Sequence, residues 1–247
     1  MLHGFATEMP VPALVDRMNA TKPNPLVEVL IAVVIPAVIL MKLSGPEQLG
    51  ALPALLLALA FPLGWGARDL LRSRKVNLFA AIGLVSVLLT GGIGLLQLDA
   101  QWLAVKEAAV PGLLGLAIIL STRTRYPLIR VLLYNPTIID VERVHEQLVA
   151  RGTQGLFEIR LLRATWMLGG TFFFSAAMNY FLATWIVVSP AGSVAFNEEL
   201  GRLTLLSYPM IALPATAMMM LVLVYLARGI RALTGLKLVD VLQTAKG

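Results

Sequence analysis

Six runs of apolar residues, near 26–43, 49–66, 77–98, 102–121, 165–188 and 203–227, each approach the roughly 20 residues that a bilayer-crossing helix needs. The pattern predicts an all-α, polytopic transmembrane helical bundle of about six spans, with 1–247 forming a single membrane domain. Connections on one side are short, at 43–48, 98–101 and 189–202, and short connections make consecutive helices antiparallel neighbours. The one sizeable polar piece on the other side is an amphipathic connector, 122–163.

Composition agrees with the pattern: 58% of residues are apolar and 14% charged, and the mean hydropathy is +0.81. There is no cysteine, which removes disulfides, thiolate metal sites and cysteine nucleophiles. The net charge of +6 is informative through its distribution. With a cytoplasmic N-terminus, only Lys42, Lys106 and Arg202 of the twenty lysines and arginines fall on the outer side. Both termini are therefore expected in the cytoplasm of a multi-pass membrane protein. Attraction of each inner base to anionic headgroups, on the order of 1 kcal/mol, accounts for the basicity without nucleic acid. The first 25 residues hold Glu8, Asp16 and several prolines, and do not read as a cleaved leader.

The connector opens on Arg123, Arg125, Tyr126 and Arg130, a basic and aromatic edge suited to the headgroup level, where Pro127 stops the fourth span from running straight on. A helix is expected over 137–150. Asn135, Pro136 and the Thr137/Asp140 pair form its start, and Ile138, Val141, Val144 and Leu148 form its apolar face. Gly152 and Gly155 are expected to end it. It reads either as a surface-lying connector or as a docking helix for a cytoplasmic partner.

Function at membrane depth resides in polar groups and helix breaks, because both are costly in hydrocarbon unless satisfied. Glu28, just inside the first span, either reaches the inner interface or serves as a proton or cation site. Lys106 and Glu107 lie about 6–8 Å into the fourth span at 1.5 Å per residue. Adjacent residues point about 100° apart, so these two are not expected to pair, and at least one should face the bundle interior or a wet cavity. Asn179, mid-depth in the fifth span, is either packing glue to another helix or a substrate contact. These four form the candidate polar site. Arg68 with Asp69 reads as a solvated end of the second span, and Asn77 as a cap of the third. Pro36, Pro111, Pro209 and Pro214 are helix-break candidates, joined by Pro53 and Pro62. Gly91, Gly92, Gly94, Gly112 and Gly115 are expected to bring the third and fourth helices close together. His3 and His145 lack a second ligand at metal spacing, so neither a metal nor a cofactor is expected.

There is no P-loop, dinucleotide fingerprint, HExxH or GxSxG, so no enzyme activity is expected. The halves lack the self-similarity of an inverted repeat.

Thr90-Gly91-Gly92-Ile93-Gly94-Leu95-Leu96, followed by Lys106 and then Tyr126-Pro127-Leu128-Ile129-Arg130, resembles the intracellular septation protein A family of bacterial inner-membrane proteins. Asn24-Pro25-Leu26 with Pro36, and Phe196-Asn197-Glu198-Glu199-Leu200-Gly201-Arg202, are similar to a longer branch of it. The resemblance implies cell-envelope or septation organisation through contacts with membrane lipids or other inner-membrane envelope proteins. It implies no catalytic residues. The alternative is a small secondary transporter, channel or lipid-handling protein with a polar site around Lys106 and Glu107. Homo-oligomerisation is left open by either reading.

Overall fold

A computed structural model describes residues 30–73, 78–124, 129 and 140–236, and every regular element among them is helical. The helices are α1 (Ile35–Lys42), α2 (Ala51–Ser73), α3 (Leu78–Leu95), α4 (Gln101–Ser121), α5 (Val141–Ala150), α6 (Gln154–Ile186), α7 (Val194–Ser207) and α8 (Leu213–Thr234). A π turn, Leu30–Val34, leads into α1, and another, Tyr208–Ala212, joins α7 to α8 without a break. Each of these turns is followed by a helix whose second residue is proline, Pro36 or Pro214. Proline lacks the N–H that would bond four residues back, and its ring crowds that carbonyl. The wider π turn relieves the crowding: Leu213 N–H donates to Tyr208 O, five residues back.

Three helical stretches among the described residues are long and apolar enough to cross a membrane: Ala51–Arg68, Gln101–Ser121 and the 41-residue Val194–Thr234. At 1.5 Å per residue the last is about 60 Å long, roughly twice the thickness of bilayer hydrocarbon. The 33-residue α6 has ample length, but Thr165, Thr171, Ser175 and Asn179 dilute its apolar character.

Several local expectations are corrected. Residues 194–202 are helix rather than connection. Ser193 Oγ caps α7 by accepting Phe196 N–H at 3.1 Å, and the polar run Asn197 to Arg202 continues the sixth apolar run outward. Glu199 holds the true loop, 187–193, by accepting Val188 N–H, Ser189 N–H and the Ser189 hydroxyl at 3.0, 2.9 and 2.7 Å. The connector helix begins at Val141, capped by Asp140 itself, which accepts Arg143 N–H at 3.1 Å. Gly152, at φ +65°, ends it, whereas Gly155 lies within the first turn of α6. Pro111 does not break its helix, for α4 runs on to Ser121; the consequence is confined to the carbonyl four residues back, that of Glu107.

The glycines act at different interfaces from those expected. A methyl group on Gly115 would come within 3.1 Å of Phe172 Cβ and 3.2 Å of the Gly169 carbonyl, so α4 lies directly along α6. Gly91 and Gly94 of α3 admit Leu59 and Leu55 of α2, and Gly201 of α7 sits 2.8 Å, measured from its would-be Cβ, from the Ala37 carbonyl of α1.

Packing divides along the bundle. One apolar core, near the short loops, gathers Leu40, Leu55, Leu103, Leu182, Phe196 and their neighbours. The other, near the connector, gathers Ile118, Val144, Leu148, Phe157, Leu168 and Ile230. The connector helix thus spends its apolar face inside the bundle, leaving Glu142, Arg143, His145 and Glu146 outward. Around both cores the outer surface carries exposed large apolar side chains, among them Leu88, Leu113, Leu213 and Leu221. That surface suits hydrocarbon rather than water. Exposed Trp102 and Trp185 stand at the short-loop end, the latter stacked on Phe181 at 5.9 Å, as in an interfacial aromatic belt.

Candidate functional site

Between the two apolar cores the bundle carries a polar layer. Its centre is Lys106, whose side chain is only 8% exposed. The ammonium has three N–H donors, and each has an acceptor: Glu107 Oε1 at 2.6 Å, Thr90 Oγ1 at 2.7 Å and Ser86 Oγ at 3.3 Å. The expectation that Lys106 and Glu107 do not pair is therefore wrong. Their Cα–Cβ bonds do diverge by about 100°, but the four-carbon lysine stem is long enough to fold back across that angle. Thr90 can accept because its own hydroxyl is donated at 3.0 Å to the Ser86 carbonyl, one turn earlier on α3.

Beside this pair lies a cleft of about 500 Å³ whose polar wall includes Ser86, Glu107, Ser175, Asn179, Ser207 and Tyr208, with Pro111 among its apolar lining. A second hollow of about 290 Å³, reaching Pro36, Pro62 and Thr90, shares Glu107, Asn179, Ser207 and Tyr208 with it. These four residues, from α4, α6, α7 and the π turn, therefore form the partition between two spaces. The π turn places Tyr208 in that partition, and π turns within long helices are frequent at functional sites.

Among the described residues, Asn179 does not bridge to another helix. Its amide donates at 2.8 Å to the Ser175 carbonyl of α6 itself, since the neighbouring surface is open space rather than a packed helix. Lys106, Glu107 and Asn179 are thus brought together in one cleft, while Glu28 lies outside the described residues. Pro36 and Pro111 line the hollows and Pro209 lies within the second π turn. Arg123 is exposed just beyond the end of α4; Arg125, Arg130 and Asn77, and the side chain of Asp69, lie outside the described residues. Arg68 rests over the Trp65 ring at 5.4 Å.

Sequence reasoning missed Ser86, Ser175, Ser207 and Tyr208, since a single hydroxyl in an apolar run carries no signal until the facing of its helix is known. It also missed Asn197, which is fully buried and donates to Ser44 Oγ at 3.0 Å and Ala51 O at 2.7 Å, tying α7 to the loop between α1 and α2. Its Oδ1 is buried without a hydrogen-bond partner among the described residues.

Searches against protein-family models, curated proteins and solved structures found no match to this chain.

Proposed function

We propose that this chain is a bacterial inner-membrane protein crossing the bilayer six times with both termini cytoplasmic, and that its central cleft binds a small polar solute on a transport path. The observation that carries the reading is the Lys106–Glu107 pair, set between apolar cores with the lysine buried and the carboxylate bordering an open cleft. A buried ion pair adds little stability over apolar side chains of the same volume. In a helix at membrane depth, such groups characteristically face a polar pathway. Two hollows meeting at Glu107, Asn179, Ser207 and Tyr208 supply a route with a constriction.

The test uses the absence of native cysteine. Val110→Cys, in the cleft, should react with a small water-soluble thiol reagent in native membranes, while Leu213→Cys, 67% exposed on the outer surface, should not. Equal inertness of both would remove the solute reading.

A second reading, envelope organisation through lipid or protein contacts, is what the resemblance to septation protein A proteins implies. It is favoured by one observation: Thr90 and Lys106, both within the resembling residues, bond to each other. In that reading the seat of the lysine is a shared structural feature and the outward polar face of α5 is the contact surface. Charge-reversing Glu142 and Glu146 would then change the set of crosslinked partners, and an unchanged set would count against it.

A further inference from the structure

The hydrogen-bond inventory of the cleft narrows the ligand, and this deepening rests on the solute-binding reading above. All three donors of Lys106 are committed. One of the two Asn179 amide N–H donors goes to Ser175 O at 2.8 Å, the Ser175 hydroxyl to Thr171 O at 3.2 Å, and the Ser207 hydroxyl to Leu203 O at 2.7 Å. A hydroxyl whose hydrogen goes back to its own helix presents only lone pairs to the space in front of it.

What remains facing the cleft is mostly acceptors. Glu107 Oε2 has no hydrogen-bond partner among the described residues, and the Glu107 side chain is 30% exposed. The Asn179 carbonyl oxygen and the hydroxyl oxygens of Ser175 and Ser207 add neutral lone pairs. Pro111 leaves the Glu107 main-chain carbonyl without its usual donor. Among the described residues of the lining, the uncommitted donors are the second N–H of the Asn179 amide and the hydroxyls of Ser86 and Tyr208, and a hydroxyl can also turn to accept. An anionic ligand would meet the Glu107 carboxylate and more lone pairs than donors.

We infer that the cleft is selective for a hydrogen-bond-donating cation of the primary-ammonium class, held by the second carboxylate oxygen of Glu107 with the oxygens of Asn179, Ser175 and Ser207 accepting its remaining N–H groups. Lys106 is then not a ligand contact. It occupies one of the two carboxylate oxygens and competes with the incoming ammonium for the negative charge. The same chemistry is carried by a small soluble amine and by the headgroup of an ethanolamine lipid.

The experiment uses full-length Val110→Cys protein in vesicles of phosphatidylcholine, with methylammonium as the probe. Labelling should slow in proportion to 1 + [L]/Kd, which is about tenfold at roughly nine times the dissociation constant. Tetramethylammonium, which has the charge but no donors, and acetate should leave the rate unchanged. Glu107→Gln in the same background should label as before and lose the methylammonium effect. Lys106→Met should enhance that effect, an outcome a merely structural lysine would not produce. Slow labelling without any added amine, confined to vesicles containing phosphatidylethanolamine, would assign the ammonium to the lipid. Normal labelling that neither methylammonium nor the ethanolamine lipid slows, or equal slowing by tetramethylammonium or acetate, would overturn the inference while leaving the wet cleft intact. Absence of labelling altogether would instead overturn the solute reading beneath it.

Discussion

Removing one member of the Lys106–Glu107 pair should cost far more than removing both. At their 2.6 Å separation and an effective dielectric constant of about 20, the gross attraction is roughly 6 kcal/mol. Desolvation of two ions, at several kcal/mol each, cancels most of that, so the intact pair contributes close to nothing net. Deleting a single partner leaves the other charge buried, which costs about 3–5 kcal/mol in a closed interior. Glu107 borders the cleft, so water can relieve it, and the low end of that range applies to Lys106→Met. Glu107→Gln leaves Lys106 with Thr90 and Ser86, and should cost about 2–3 kcal/mol, near what an unpaired charged group costs when its hydrogen bond is lost. The double variant should return to within about 1 kcal/mol of the parent. Reversible denaturant unfolding of the purified protein in detergent measures all four corners of this cycle. Simple addition of the two single losses in the double variant would refute the pairing and with it the geometry of the polar layer.

Other expectations follow from single contacts. Gly201→Ala would press a methyl group to 2.8 Å from the Ala37 carbonyl and should destabilise by about 1–3 kcal/mol. Gly92→Ala, which meets nothing within 4 Å, should be neutral or stabilising by up to about 1 kcal/mol; thermal unfolding of the two side by side checks the helix contacts. Asn197→Ala removes bonds to Ser44 and Ala51 and should cost about 1–3 kcal/mol, with faster proteolysis of the 43–50 loop as a second readout. Pro214→Ala restores a donor to the helix and removes the reason for the π turn. A cysteine at 208 that is labelled in the parent should then react more slowly as position 208 rotates out of the partition.

Three long stretches were legible because a bilayer-scale apolar run has few alternatives: Ala51–Arg68, Gln101–Ser121 and Val194–Thr234 are long and apolar enough to cross a membrane. The end of the sixth run was not. Asn197, Glu198, Glu199 and Arg202 read as a loop by polarity, yet a helix that projects beyond hydrocarbon can carry such residues, and Glu199 is consumed in bonding the loop behind it. In the site, Lys106 and Glu107 stood out because charges inside an apolar run are conspicuous. Their pairing did not, since the Cβ directions of adjacent helical residues diverge and only the reach of the lysine stem joins the two. Ser86 and Thr90, which complete the lysine's shell from α3, depend on which faces of two helices meet. The glycines show the same limit: their spacing signals close approach, but Gly115 meets Gly169 of α6 rather than α3. The π turns were visible only as prolines, because relief by one extra residue is a three-dimensional response to crowding.

The most direct test of a lipid-embedded bundle with a wet cleft is a pair of spin labels at 213 and 215, two residues apart on α8. They differ in depth by about 3 Å and lie about 200° apart around the helix. Leu213 faces outward and Ala215 lines the cleft. In bilayers, the label at 213 should relax with dissolved oxygen and ignore a water-soluble nickel chelate, while the label at 215 should respond to the chelate. Matching responses at the two positions would contradict the account.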